Sequence, residues 1–179
     1  MTTEPTIRAP ETLSEFRAGL RSIRDAWREA FGDIVSSAAL AYMDTLPTRS
    51  GTANRFETLR ANPKIRVLVA VLDARVVGVG SITWDAAETK TFVPPADAEI
   101  RTLYVTPDRW GEGIGTALLS SLTETAPESS DRLVLETFRD NTRGRQFYES
   151  HGFEQIGTTT FSIVGEDYPT VIYARNRHE

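Results

Sequence analysis

The chain has 179 residues, 40% hydrophobic and 25% charged, with a formal net charge of −5. That length suits one domain with a full core and no need of a disulfide or metal staple, so a single domain over residues 1–179 is expected. Cysteine is absent, which excludes disulfides, thiolate metal sites and a cysteine nucleophile. His151 and His178 are the two histidines, too few for a histidine-built metal centre, and no metal is expected. The acidic balance argues against a nucleic-acid partner. No apolar run approaches the ~18–20 residues of a membrane span, and the opening MTTEPTIRAP lacks the basic and apolar regions of a secretory signal. A cytoplasmic protein with no membrane partner is expected. Most basic residues are arginine; the lysines, Lys64 and Lys90, read as a genome bias toward arginine.

Ile7 suggests a short first strand. Leu13, Phe16, Leu20, Ile23, Trp27, Phe31 and Ile34 then recur every three or four residues, the stripe of an amphipathic helix. Thr12 and Glu15 fit a capping box at its start. A second helix is predicted from about Val35 to Leu46 and a third from about Ala53 to Arg60, separated by the loop signal Pro47–Gly51. Ile65–Leu72 and Val76–Trp84 are β-branched runs joined by a short connection, which predicts an antiparallel hairpin. A loop over Asp85–Ala96 leads to a strand at Glu99–Val105, a glycine-rich turn at Arg109–Gly115 and a helix at Thr116–Thr125. Arg132–Thr137 is predicted as a strand, Thr142–Ser150 as a helix, and Phe153–Gly157, Phe161–Val164 and Thr170–Arg175 as closing strands. Helices first, then strands with late helical insertions, imply an α/β (α+β) mixed sheet with helices on both faces.

Gly111, Gly113 and Gly115 alternate between a strand and a helix. Glycines let the chain turn tightly, and the N-terminus of the next helix offers free N–H groups and a positive dipole end to phosphate oxygens. A dinucleotide fingerprint does not fit, because Leu118 or Thr116 stands where a small residue is required. A P-loop does not fit either, since Thr116-Ala117 follow the last glycine in place of Lys-Ser/Thr. A ligand-free tight turn stays open on spacing alone.

The stretch from Tyr104 to Leu119 resembles the acyl-coenzyme A pyrophosphate loop of the GNAT superfamily of N-acetyltransferases, whose pattern is Gln/Arg-x-x-Gly-x-Gly/Ala. Gly113 and Gly115 supply its glycines; Trp110 stands at the Gln/Arg position, with Arg109 beside it. Downstream, Asn141, Gly144, Phe147, Tyr148, Glu149, Gly152 and Phe153 match a second signature, N-x-x-(A/G)-x-x-F-Y-E-x-x-G-F. The matched region covers about residues 99–157. The resemblance implies a mixed, mostly antiparallel sheet splayed between its fourth and fifth strands, with a coenzyme-binding core at about 65–157 and variable acceptor-side helices at about 11–62.

The resemblance also implies acetyl-CoA as co-substrate and a small-molecule or peptide amine as acceptor, joined in a ternary complex; a homodimer is compatible with it. Coenzyme contacts fall on Leu103, Tyr104, Val105, Arg109, Trp110, Gly111, Glu112, Gly113, Ile114, Gly115, Thr116 and Asn141. The N–H groups of Leu103 and Val105 would polarise the thioester carbonyl by fixed dipoles. Tyr148 is the candidate general acid: a phenol near pKa 10 protonates a thiolate near 8.5 at a cost of about 2 kcal/mol. The candidate bases are Glu99 and Glu136. A lysine-like amine costs roughly 4.6 kcal/mol to neutralise at pH 7, an α-amino group only about 1. Strand alternation puts Glu99, Arg101, Leu103 and Val105 on one face, which ranks Glu99 first. The acceptor is expected between the N-terminal helices and the loops near Arg49–Asn54, Asp85–Ala98 and Glu166–Pro169. Glu88, Asp97, Glu166 and Asp167 there suit a cationic amine. A non-catalytic acyl-CoA-binding or sensor module is the alternative, and a protein preferring ATP or NAD is a third.

Overall fold

The structure, a computed structural model, describes residues 4–178; the first part of the expected leader-free N-terminus lies outside them. Thr6–Arg8 forms β1, and Leu13–Phe31 forms α1. Thr12 caps α1, its hydroxyl accepting from the Glu15 N–H at 3.2 Å. The other half of the capping box is diverted. The Glu15 carboxylate accepts from the Glu11 N–H at 2.7 Å and from both terminal nitrogens of Arg8 at 3.0 and 2.6 Å. Sequence pattern thus yields the helix start, while an ion pair to β1 sets how α1 leaves the sheet. α2 (Ser37–Asp44) and α3 (Thr52–Ala61) follow; Ser36, not Val35, opens α2, because its hydroxyl caps the Ala39 N–H.

The hairpin forms as expected from β2 (Ile65–Leu72) and β3 (Arg75–Trp84). Asp73 and Ala74, both at positive φ, make its two-residue turn. Next come β4 (Ala98–Val105), a 3-10 turn at Pro107–Arg109, α4 (Ile114–Thr125), β5 (Arg132–Phe138), α5 (Thr142–Ser150), β6 (Glu154–Ile163) and β7 (Glu166–Asn176). The two short strands expected at Phe153–Gly157 and Phe161–Val164 are one. Thr158-Thr159-Thr160 carries the ladder between them, as β-branched residues favour, and Ile156 is the extra residue of a bulge. The expected loop Glu166–Pro169 is the start of β7, paired with β6.

The seven strands order as β1-β2-β3-β4-β5-β7-β6, antiparallel except for β4–β5. Helices cover both faces. On one, Phe16, Leu20, Ile23, Trp27 and Phe31 of α1 pack with α2 and α3 on Val69, Val79 and Phe138. On the other, Leu119 and Leu122 of α4 and Phe147 and Tyr148 of α5 pack on Ile82, Ile100, Leu133 and Leu135.

The parallel pair is short. Ala98 pairs with Leu133 and Glu99 with Val134, and no further. Just outside, the buried Asp97 carboxylate takes the Arg132 guanidinium at 2.7 Å, and the Asp131 N–H reaches the Ala96 carbonyl at 2.9 Å. Beyond Glu99, β5 stays paired with β7 along its whole length, while β4 stays with β3. The two halves of the sheet therefore part.

Arg8 and the Glu11 N–H together hold the Glu15 carboxyl down at about 2, against an ordinary 4.5. A depressed carboxyl stabilises the fold above its ordinary range, and that stabilisation is lost as pH falls through the folded value. Glu15→Ala should therefore lower Tm at pH 7. The difference from the parent should shrink between about pH 4.5 and pH 2 in thermal unfolding followed by circular dichroism.

Candidate active site

Where β4 and β5 diverge, a cleft of about 840 Å³ opens between the two helical layers. One wall is the turn after β4. Gly111 and Gly113 both take positive φ, at 84° and 82°. Gly113 stands at the N-cap of α4 with no side chain capping the first turn. Among the described residues, no backbone or side-chain acceptor takes the N–H groups of Gly111 to Thr116. The Thr116 hydroxyl is already engaged. His151 Nδ1 lies 2.7 Å from the Phe147 carbonyl and so carries the proton, which leaves Nε2 to accept from Thr116 at 3.0 Å. What this wall offers an anion is main-chain donors.

Trp110 does not behave as a Gln or Arg would. Its indole N–H donates to the Val105 carbonyl at 2.7 Å, and its ring lies under the Arg143 guanidinium at 4.7 Å, tying the loop to α5. Arg109 and Arg143 both line the cleft. Glu112 does not; it is exposed and sits 3.6 Å from Arg109.

A bulge decides how β4 meets the gap. Ile82 opposes Ile100 while Ser81 opposes Thr102, so Arg101 is an extra residue without a partner. One extra residue reverses the alternation beyond it. Leu103 and Val105 therefore face α4, packed with Leu118, whereas Tyr104 faces α1 in the cluster of Trp27 and Phe31. The expected shared face for Glu99, Leu103 and Val105 is not formed. Main-chain directions follow the same logic. The Thr106 N–H bonds to Val77 of β3 at 2.8 Å, so alternation turns the N–H groups of Leu103 and Val105 away from β3, toward the gap.

The opposite wall comes from β5 and α5. Asn141 caps α5, its side-chain oxygen accepting from the Gly144 N–H at 3.0 Å while its amide donates to Thr137 at 3.0 Å. This explains Gly144: a Cβ there would lie 2.2 Å from Asn141 Nδ2. Tyr148, one turn further on, lines the cleft beside Phe147. Burial, with the nearby Tyr104 as a smaller contributor, pushes its phenol above the ordinary value. Tyr148 therefore holds its proton throughout the neutral range.

The two candidate bases part company. Glu136 lines the cleft, contacting the Lys90 ammonium and accepting from Thr170 at 2.6 Å. Glu99 is 1% exposed and does not line it. Its carboxylate accepts from the Lys90 N–H at 2.9 Å, and burial raises its pKa against that bond and the Arg101 charge. Lys90 has no signal in sequence spacing, since it reaches Glu136 from a loop 46 residues away. The acidic groups expected to attract an amine all hold internal hydrogen bonds, but among the described residues only Asp97 has a cationic partner. Glu88 accepts from Asn62, Asp97 from Arg132, Glu166 from Ser36 and Tyr168, and Asp167 from Ser162.

A mixed sheet opened at one parallel pair, with free main-chain donors facing a phenol across the opening, defines an anion-holding cleft of acyltransferase type. Residues 20–153 match the family described as the Acetyltransferase (GNAT) family, and the chain belongs to it. An uncharacterized N-acetyltransferase of Archaeoglobus fulgidus is 35% identical over 98 residues, 54% of this chain and 65% of that protein. One from Mycobacterium bovis is 29% identical over 110 residues, 61% of this chain and 65% of that protein. The aligned regions thus span slightly under two thirds of these relatives. In fold, the chain is similar to the PaiA N-acetyltransferase of Thermoplasma acidophilum in complex with coenzyme A. The TM-score is 0.73 at 18% identity, over 97% of this chain and 99% of that one. It is similar also to a GCN5-related N-acetyltransferase of Rhodopseudomonas palustris, with a TM-score of 0.72 at 20% identity and 98% of each chain covered.

The Asn141–Gly144 contact predicts a non-additive pair. Gly144→Ala alone should destabilise by more than about 1 kcal/mol, because the new methyl expels the capping side chain. In an Asn141→Ala background the same change should be neutral or stabilising by up to about 1 kcal/mol, the ordinary helical gain. Urea unfolding of the four proteins in the cycle measures both.

Proposed function

We propose that the chain transfers an acetyl group from acetyl-CoA to a primary amine by direct attack within a ternary complex. The observation that carries this reading is the placement of unpaired N–H groups from Gly111 to Thr116 and the Tyr148 phenol in one cleft. The donors fit a diphosphate, and Arg109 and Arg143 add positive charge. When bound, acetyl-CoA supplies the thioester. Every other role falls to the chain. The loop donors hold the diphosphate, and the N–H groups of Leu103 and Val105 pair with the acyl arm and polarise its carbonyl.

Glu136 takes one proton from the incoming ammonium; Glu99, sealed beneath the cleft, supports Lys90 instead. The freed amine nitrogen bonds to the acetyl carbon as the carbon–sulfur bond breaks. Tyr148 gives its proton to the departing sulfur, and a second nitrogen proton restores the phenol. Burial makes Tyr148 a weaker acid, but the thiolate forms in the same poorly solvated place and is raised with it, so the transfer stays modestly uphill.

Release of free thiol from acetyl-CoA, across a panel of amines, tests the reading. Stabilisation by acetyl-CoA with no release from any amine would favour a binding module instead; stabilisation by ATP or NAD and not by coenzyme A would favour a nucleotide-binding protein. Tyr148→Phe should lower kcat by about 10²–10⁴-fold with coenzyme affinity nearly unchanged. Glu136→Gln should cost about 10–100-fold, and Glu99→Gln less than about 3-fold. Because the Glu99 pKa is raised, its charged form opposes folding, so the Tm of Glu99→Gln relative to the parent should climb from pH 4 to pH 7. The raised phenol also predicts no alkaline fall in kcat from Tyr148 below about pH 10.

A further inference from the structure

Of the two lysines, Lys90 lines the cleft and Lys64 does not. Lys90 is held at both ends. Its main-chain N–H donates at 2.9 Å to the carboxylate of Glu99, the last residue of β4 to pair with β5. From that anchor at the root of the gap the side chain runs to β5, where its ammonium contacts the Glu136 carboxylate. Glu136 stands two residues beyond Val134 on β5, and Leu103 four beyond Glu99 on β4, one of those four being the bulged Arg101. At ~3.3 Å per residue the two positions lie at similar heights on the two arms of the gap. The Lys90 ammonium is thus delivered to the level at which the Leu103 N–H faces the opening.

Its surroundings are those an acceptor ammonium would need. Glu136, steadied by Thr170 at 2.6 Å, supplies the carboxylate. The rings of Phe161 and Phe92 stand 5.4 and 5.8 Å from Nζ, within the reach of a cation–π contact. Phe161, like Glu136, lines the cleft. The Lys90 side chain keeps 32% of its surface exposed, so the amine is open to the cleft and not sealed beneath it. Lys64 has none of this. It sits 3.7 Å from Asp85, away from the lining, with 47% of its side chain exposed. Where Glu136 draws a proton from an ammonium, the ammonium already in contact with it is the chain's own. An amine tethered in the site also needs no encounter with an external one.

Resting on the acetyltransferase reading, we propose that the chain acetylates its own Lys90 when no other amine occupies the cleft. Glu136 takes one proton from Nζ, and the Nζ–acetyl bond forms as the carbon–sulfur bond of acetyl-CoA breaks. Tyr148 protonates the departing sulfur, and a second Nζ proton restores the phenol. The products are a neutral acetyl-lysine, free thiol and one proton released by Glu136 to solvent. The amide carries no charge and no longer pairs with Glu136.

The test is incubation of the full chain with acetyl-CoA and no added amine, followed by intact mass and peptide mapping. One acetyl group should appear at Lys90, with about one thiol released per chain, at least about tenfold faster than any acetylation of Lys64. The rate should be unchanged by diluting the protein about tenfold, as transfer within one chain requires. Tyr148→Phe and Glu136→Gln should each slow it by at least about tenfold, and Lys90→Arg should abolish the mass gain. Equal modification of Lys64 and Lys90, or a Lys90 rate untouched by Tyr148→Phe, overturns the inference. Thiol release with an added amine while Lys90 stays unmodified overturns it and leaves the transferase reading standing. No modification and no release with any amine overturns both.

Discussion

The structure depends on where two neighbouring strands stop being neighbours. β4 and β5 share two ladder positions, closed off by the buried Asp97–Arg132 pair, and each then follows a different partner. A continuous sheet would satisfy the inner edges of both strands with each other. Parting leaves main-chain donors of β4 turned toward a gap and available to a ligand. The bulge at Arg101 belongs to the same device, because it sets which side chains β4 presents to each helical layer. The cleft is arranged around that opening: the uncapped start of α4 on one arm, α5 with Tyr148 on the other.

Around this gap the protein separates two kinds of electrostatics. On the α4 side, the donors are backbone groups held by glycines at positive φ, with arginines nearby. Fixed dipoles need little reorganisation when charge arrives, which is why they suit a diphosphate and a polarised carbonyl. On the other side, Glu136 is shared between Lys90 and Thr170, while Glu88 holds a single bond from the neutral Asn62 amide. Burial raises the pKa of both Tyr104 and Tyr148, keeping them as proton-bearing groups.

The helices divide the labour by their packing. α1 contributes a face that is core over most of its length, but Trp27 is both core and lining. Its ring meets Phe31 at 5.0 Å and Phe138 at 5.5 Å, both close to perpendicular. The indole orientation is thus fixed by aromatic packing, and its N–H is buried without a partner among the described residues. α5 has no fully buried residue, yet its position is fixed by Asn141 at one end and by Tyr173 and Arg175 of β7, which bond Glu149 and the His151 carbonyl.

Much of this was legible in the residues. Apolar periodicity located α1, the hairpin and β5, and α5 fell on the expected residues, because those patterns are local. The glycine spacing and the Asn141–Phe153 signature marked both arms of the cleft for the same reason: turns and caps are written in consecutive residues. Three features were decided by the fold alone. An extra residue in β4 moved Glu99 to the far side from Leu103, which no alternation rule foresees, since a bulge depends on the partner strand. Lys90 and Thr170 reached Glu136 from distant segments, and of the charges that looked like an acidic lure Asp97 was taken by Arg132, 35 residues on. The sequence by itself determined the elements and placed the glycine turn and Tyr148 at their ends, all products of short-range chemistry; the roles of that turn and that phenol came from the resemblance. Tertiary structure decided which carboxylate meets the cleft and which donors stay unspent, because both are settled by contacts between residues that only folding brings together.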